Sequence, residues 1–148
     1  MSIGTLFSAM HCRLLIGAGL ALCFLARGFA ASAERAPAIA EKHVTANGAE
    51  FAYLDVGSGA PVVLGHGALG DYRDWTAQIA PLAAHFRVIA YSRRYHYPNP
   101  WTGDGLDYTL ERNAADLVAI VQALHLPPVH VVGHSYGGSV AAMAVAAH

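Results

Sequence analysis

The chain has 148 residues, 55% of them hydrophobic and 13% charged, with nine Lys and Arg against ten Asp and Glu. That length allows at most one ordinary domain, and the composition excludes a disordered chain. A formal charge of −1 offers no basic face for nucleic acid, and no run of like charge forms an interaction tail.

The N-terminus predicts an export signal. A polar start ending in Arg13 leads into an apolar run over residues 14–26 and then to the small residues Ala30, Ala31, Ser32 and Ala33. This is the charged, apolar and small-residue order of a secretory signal, with cleavage expected after Ala33. The apolar run is short for a bilayer span, so an uncleaved membrane anchor is the alternative. Met10 is a second possible start and gives the tidier signal. Cys12 and Cys23 both lie before the cut, which leaves a mature chain with no disulfide and no thiolate metal site. Leu22 stands where a lipoprotein cysteine requires a small residue. The expected organisation is a signal peptide over 1–33, an Ala/Pro linker over 34–41 and one partial domain over 42–148. The expected location is periplasmic or secreted, without stable membrane association after cleavage.

"HVTANGAEFAYLDVG" predicts a hairpin around Asn47-Gly48, a pair that tolerates positive φ. A short buried strand follows at residues 62–64. Trp75, Ile79 and Leu82 fall at helical spacing, and Pro81 disrupts that helix or restarts it. Residues 87–91 predict a second buried strand, followed by a long loop rich in Tyr, Pro and Gly. The clearest helix lies in "YTLERNAADLVAIVQALHL", where Leu110, Ala114, Leu117, Val121 and Leu124 form one apolar face. Thr109 is placed to cap it, Glu111 favours its positive end, and Pro127-Pro128 stop it. "VHVVGHS" predicts a third buried strand, and "GGSVAAMAVAAH" starts another helix. Strands made of continuous apolar runs, alternating with helices, indicate an α/β fold with a mostly parallel sheet covered on both faces.

Between that last strand and helix stands "GHSYGG". A serine hydroxyl is a poor nucleophile unless it is exposed and placed beside a base and beside donors for an oxyanion. A sharp strand-to-helix corner exposes it, and Gly133 and Gly137 remove side chains where the two elements cross. Gly138 gives further room for the helix, whose positive end faces Ser135. Gly-x-Ser-x-Gly alone is a weak signal; the apolar strand before it and the alanine-rich helix after it strengthen it. The plain alternative is a glycine-rich turn with an incidental serine.

With "VVLGHGALGD" upstream and "VVGHSYGGS" downstream, the chain resembles the α/β-hydrolase superfamily over nearly the whole mature segment. The resemblance implies Ser135 as nucleophile and the backbone N–H groups of Ala68 and Tyr136 as the oxyanion hole. It gives His66, with Gly67, the task of supporting the oxyanion loop, with a plain loop histidine as the equal alternative. Epoxide hydrolases of this fold usually carry proline after the His-Gly pair and use aspartate as nucleophile. Serine here favours ester or similar acyl chemistry, although perhydrolases and C–C bond hydrolases share this front half. Arg93 or Arg94 matches the family arginine after the fourth strand. Tyr95, His96, Tyr97 and Trp101 either line a substrate pocket or pack a surface loop on itself.

In the family the triad acid and then its base follow the serine. Here the last carboxylate is Asp116 and the only histidine after Ser135 is His148, a poor base at the end of a helix leading away. His134 is expected to point to the other side of the turn, and His125 and His130 to be exposed. The expectation is therefore the front part of an α/β-hydrolase fold without its last three strands, leaving an apolar edge open to aggregation. The functional expectation is a serine hydrolase fragment acting on a small-molecule substrate, nearly inactive alone. A non-catalytic relic or binding module is the alternative. No cofactor is implied: there is no G-x-G-x-x-G after a strand and no GK[ST], and His130 and His134 do not share a helix face for a metal.

Overall fold

The computed structural model of the chain describes residues 39–147. The expected export signal, both cysteines, His148 and most of the linker lie outside the described residues. The hairpin forms as expected: β1 (Lys42–Ala46) pairs antiparallel with β2 (Ala49–Gly57). Its turn residues have φ of 43° at Asn47 and 73° at Gly48, the left-handed pair that matches the twist of two antiparallel strands. β3 (Pro61–Gly65), β4 (Arg87–Tyr91) and β5 (His130–Gly133) complete a five-stranded sheet in the order β1-β2-β4-β3-β5. β3 lies parallel to β4 and to β5, whereas β2 runs antiparallel to β4.

Alternation along the central strands sends side chains to two separate cores. Val62, Leu64, Val88 and Ala90 pack with Ile79 of α1 (Thr76–Ala83) on one face. Val63, Ile89 and Tyr91 pack on the other face against Leu117 and Ile120 of α2 (Leu110–Ala123) and Val140 and Ala144 of α3 (Tyr136–Ala147). Both faces of β3 and β4 are thus dry, which is why these strands read as unbroken apolar runs. A 3-10 turn over Tyr72–Trp75 precedes α1, and α1 continues through Pro81 for only two residues. Thr109 caps α2 as expected, its hydroxyl accepting from Arg112 N–H at 3.1 Å.

Two elements depart from the sequence reading. β5 is not buried: it is an edge strand, with His130 and Val132 exposed. An unpaired edge leaves its outer face open however apolar its residues are. α2 buries Ala114, Leu117 and Ile120 as an apolar face should, but also Asn113 and Asp116. Asp116 binds Arg94 through two bonds, Nε at 2.8 Å and Nη2 at 2.7 Å, and accepts from Asn47 Nδ2 at 2.7 Å. A buried carboxylate held this way ties the β1–β2 turn to α2, at a position an apolar-face reading treats as solvent.

The topology also creates a crevice. β3 and β5 are neighbours, yet the chain leaving β3 enters α1 on one face while the chain leaving β5 enters α3 on the other. Diverging connections at the carboxyl ends of adjacent parallel strands open the place where α/β folds bind ligands.

Candidate active site

Ser135 sits in that crevice, between the end of β5 and the first residue of α3, and is exposed. Its φ is +53°, a strained value for a side-chain-bearing residue and the mark of a corner held by its surroundings. The corner closes because nothing projects from its flanks. A Cβ on Gly133 would meet the Gly137 carbonyl oxygen at 2.2 Å, and one on Gly137 would meet the carbonyl oxygens of Gly65 and His66 at 2.5 Å each. Gly138 is less demanding, with the Gly133 oxygen at 3.3 Å. Tyr136 opens α3, so its N–H is among the first-turn donors that have no helical partner.

The loop after β3 comes to the same place. Gly67 is buried while Ala68 and Leu69 are exposed, and Gly67, Ala68, Leu69, Gly70, Asp74, His134 and Ser135 line one open depression of about 400 Å³. The Cβ position of Gly67 lies 3.7 Å from Ser135 Cβ. The serine corner and the expected oxyanion loop are therefore brought together. His134 is a correction: it does not turn away but is exposed, lines the depression, and rests its ring on Gly67, with Nδ1 3.0 Å from that glycine's Cβ position. The missing side chain of Gly67 is what admits the ring.

His66 is fully buried. Its Nδ1 lies 2.8 Å from Gly67 O, an oxygen that can only accept, so Nδ1 donates. Nε2 must then accept, and it does so from Arg93 N–H at 2.9 Å. One neutral tautomer satisfies both bonds. Burial, reinforced by the nearby Arg93 cation, lowers the His66 pKa to about 3, which removes it as a base near neutral pH and leaves it a brace. His96 is arranged alike: Nδ1 donates to Gly70 O at 2.8 Å and Nε2 accepts from Tyr108 OH at 2.8 Å. Burial, with Arg93 second, lowers its pKa too.

Sequence reasoning left Arg93 and Arg94 as alternatives for the family arginine, and Arg93 is the one that links these groups. Arg93, two residues beyond β4, is 1% exposed. Its Nη2 donates to Gly67 O at 2.7 Å, its Nη1 to Tyr108 OH and to Asn113 Oδ1 at 3.5 Å, and its guanidinium lies 4.8 Å from the Tyr136 ring centre. Arginine beside arginine just beyond a buried strand was the available signal, but it did not say which one turns inward to the loop. The aromatic segment divides. Tyr95 packs on Trp101 with ring centres 4.7 Å apart, the loop packing on itself, whereas Tyr97 is exposed and lies against Arg73 of the 3-10 turn. His96 instead faces His66 at 4.6 Å. Among the described residues no group of three or more His, Cys, Asp and Glu could hold a metal ion.

Residues 60–148 match the alpha/beta hydrolase fold. The chain belongs to that family. Among curated proteins it is 42% identical over 107 residues to a non-heme haloperoxidase of Rhodococcus erythropolis, covering 71% of this chain and 38% of that protein. It is 36% identical over 106 residues to a 2-hydroxy-6-oxo-2,4-heptadienoate hydrolase of Pseudomonas putida, covering 65% of this chain and 36% of that one. Among solved structures, an epoxide hydrolase from an endophytic Streptomyces superposes with a TM-score of 0.69 at 28% identity, over 73% of this chain and 33% of its own. The five strands thus form the front part of the alpha/beta hydrolase fold, and the chain spans about a third of the length of these relatives.

Proposed function

We propose that this chain carries the nucleophile and the oxyanion hole of a serine hydrolase. The observation that carries the reading is the meeting of an exposed, positive-φ Ser135 with the Ala68 loop in one depression at the head of α3. Ser135 Oγ attacks the carbonyl carbon of an ester, and the N–H groups of Ala68 and Tyr136 receive the charge on its oxygen. The carbon–alkoxy bond then breaks, the alcohol leaves with the serine proton, and water cleaves the acyl-serine to free acid and serine. Serine, where epoxide hydrolases of this fold use aspartate, supports acyl chemistry over epoxide opening. In this reading the triad acid and base come from outside this chain, and His66, committed to Gly67 and Arg93, serves as a brace. Export by the N-terminal segment belongs to the same reading.

Turnover of short-chain p-nitrophenyl esters by the full-length protein tests it. Ser135→Ala is expected to lower kcat by about 10⁴-fold or more with an unchanged melting temperature. Equal turnover by the variant overturns the reading, and no turnover by the wild type favours a non-catalytic module.

A further inference from the structure

Arg93 touches both halves of the oxyanion hole without facing the depression itself. The carbonyl of Gly67 and the N–H of Ala68 belong to one peptide unit. A trans peptide is planar, so its C=O and N–H point in opposite directions. Gly67 O accepts from His66 Nδ1 at 2.8 Å and Arg93 Nη2 at 2.7 Å on the buried side, and from Gly70 N–H at 3.3 Å. Those bonds fix the plane and turn the Ala68 N–H away from the carbonyl's partners; Ala68 and Ser135 line the same depression. Donors on the oxygen also polarise the amide and strengthen its N–H as a donor.

The same guanidinium lies against the Tyr136 ring, which stacks on Tyr108 at 5.9 Å and 16°, and Tyr136 supplies the second N–H. Through Tyr108 and His96 the network reaches Gly70 O, the far end of the loop. Among the described residues Arg93 has no carboxylate within 4.0 Å, and its buried Nε has no partner. A buried cation left without a counter-charge is costly, so a structural role alone accounts poorly for it. A negative charge developing on the other side of the peptide it holds would reduce that cost.

We propose that Arg93 is a positioning residue for the oxyanion hole, orienting and polarising the Gly67–Ala68 peptide and holding Tyr136 while His66 braces the same carbonyl. This rests on the reading of Ser135 as the nucleophile and of Ala68 as an oxyanion donor. The readout must follow charge on the carbonyl oxygen. A thionoester places that charge on sulfur, a weak acceptor that an oxyanion hole serves poorly, so the ester-to-thionoester ratio of kcat/KM reports on the hole. In the full-length protein, Arg93→Met is expected to lower kcat on the ester by about 10²-fold with KM little changed and to reduce that ratio by about tenfold. Arg93→Lys, which keeps a charge and a donor, should recover most of the ratio. Should Arg93→Met not fold, Arg93→Lys and Arg93→Gln carry the same comparison, with the ratio falling in the order Arg, Lys, Gln. A ratio equal to wild type in folded Arg93 variants overturns the inference while Ser135→Ala remains inactive. Turnover surviving in Ser135→Ala instead removes the serine reading beneath it.

Discussion

The two arms of the site are held in opposite ways. The Ser135 corner is held by absence: Gly133 and Gly137 let the end of β5 and the start of α3 approach where any Cβ would strike backbone within 2.5 Å. The Ala68 loop is held by presence, with His66, Arg93 and His96 donating to the carbonyls of Gly67 and Gly70 from the buried side. Steric closure tolerates no added atom. A polar clamp tolerates substitution but depends on protonation and charge. The two arms should therefore fail differently.

The corner should give the largest loss of stability. In Gly137→Ala two backbone carbonyls must move, and unfolding by urea should show a loss of about 3 kcal/mol, together with lower ester turnover because Gly65 and His66 shift. Gly138→Ala, only 3.3 Å from its nearest neighbour, should cost less than about 1 kcal/mol, since alanine favours the helix. Equal losses would mean that the corner is not closed by contact.

The loop should answer to pH instead. Burial holds folded His66 at about 3, against the ordinary 6.5, so between those values the unfolded chain binds the extra proton. Stability is full above about pH 6.5 and falls as pH drops through that window, by at most about 1.4 kcal/mol per pH unit from this residue. Comparing wild type with His66→Gln in urea titrations at several pH values should show a shallower slope in the variant. An unchanged slope would mean that His66 is not kept neutral by its surroundings. A control away from both arms is the α2 cap, where Thr109→Ala should cost about 1 kcal/mol without changing ester turnover.

The same contrast explains what the sequence made legible. The corner is local: strand, glycines, serine and helix follow one another within a dozen residues, and their spacing states the geometry. The hairpin was readable for the same reason, since Asn47-Gly48 encodes its own turn. The clamp joins His66 to Arg93 and Arg93 to Tyr108 and Asn113 across the sheet, and no short pattern marks such a contact. Asp116 on α2 was hidden likewise, because its partners Arg94 and Asn47 come from two other elements. β5 failed for a different reason. Four apolar-rich residues read the same in a central strand and at an edge, and only the strand order distinguishes them. His134 followed from Gly67, whose empty side admits a ring the turn alone would send elsewhere.

The most direct measurement is covalent labelling of the full-length protein with a fluorophosphonate, followed by peptide mapping. A single phosphonyl adduct is expected on Ser135 and none in Ser135→Ala. An adduct on another residue, or labelling that persists in Ser135→Ala, would contradict the reading of Ser135 as the nucleophile.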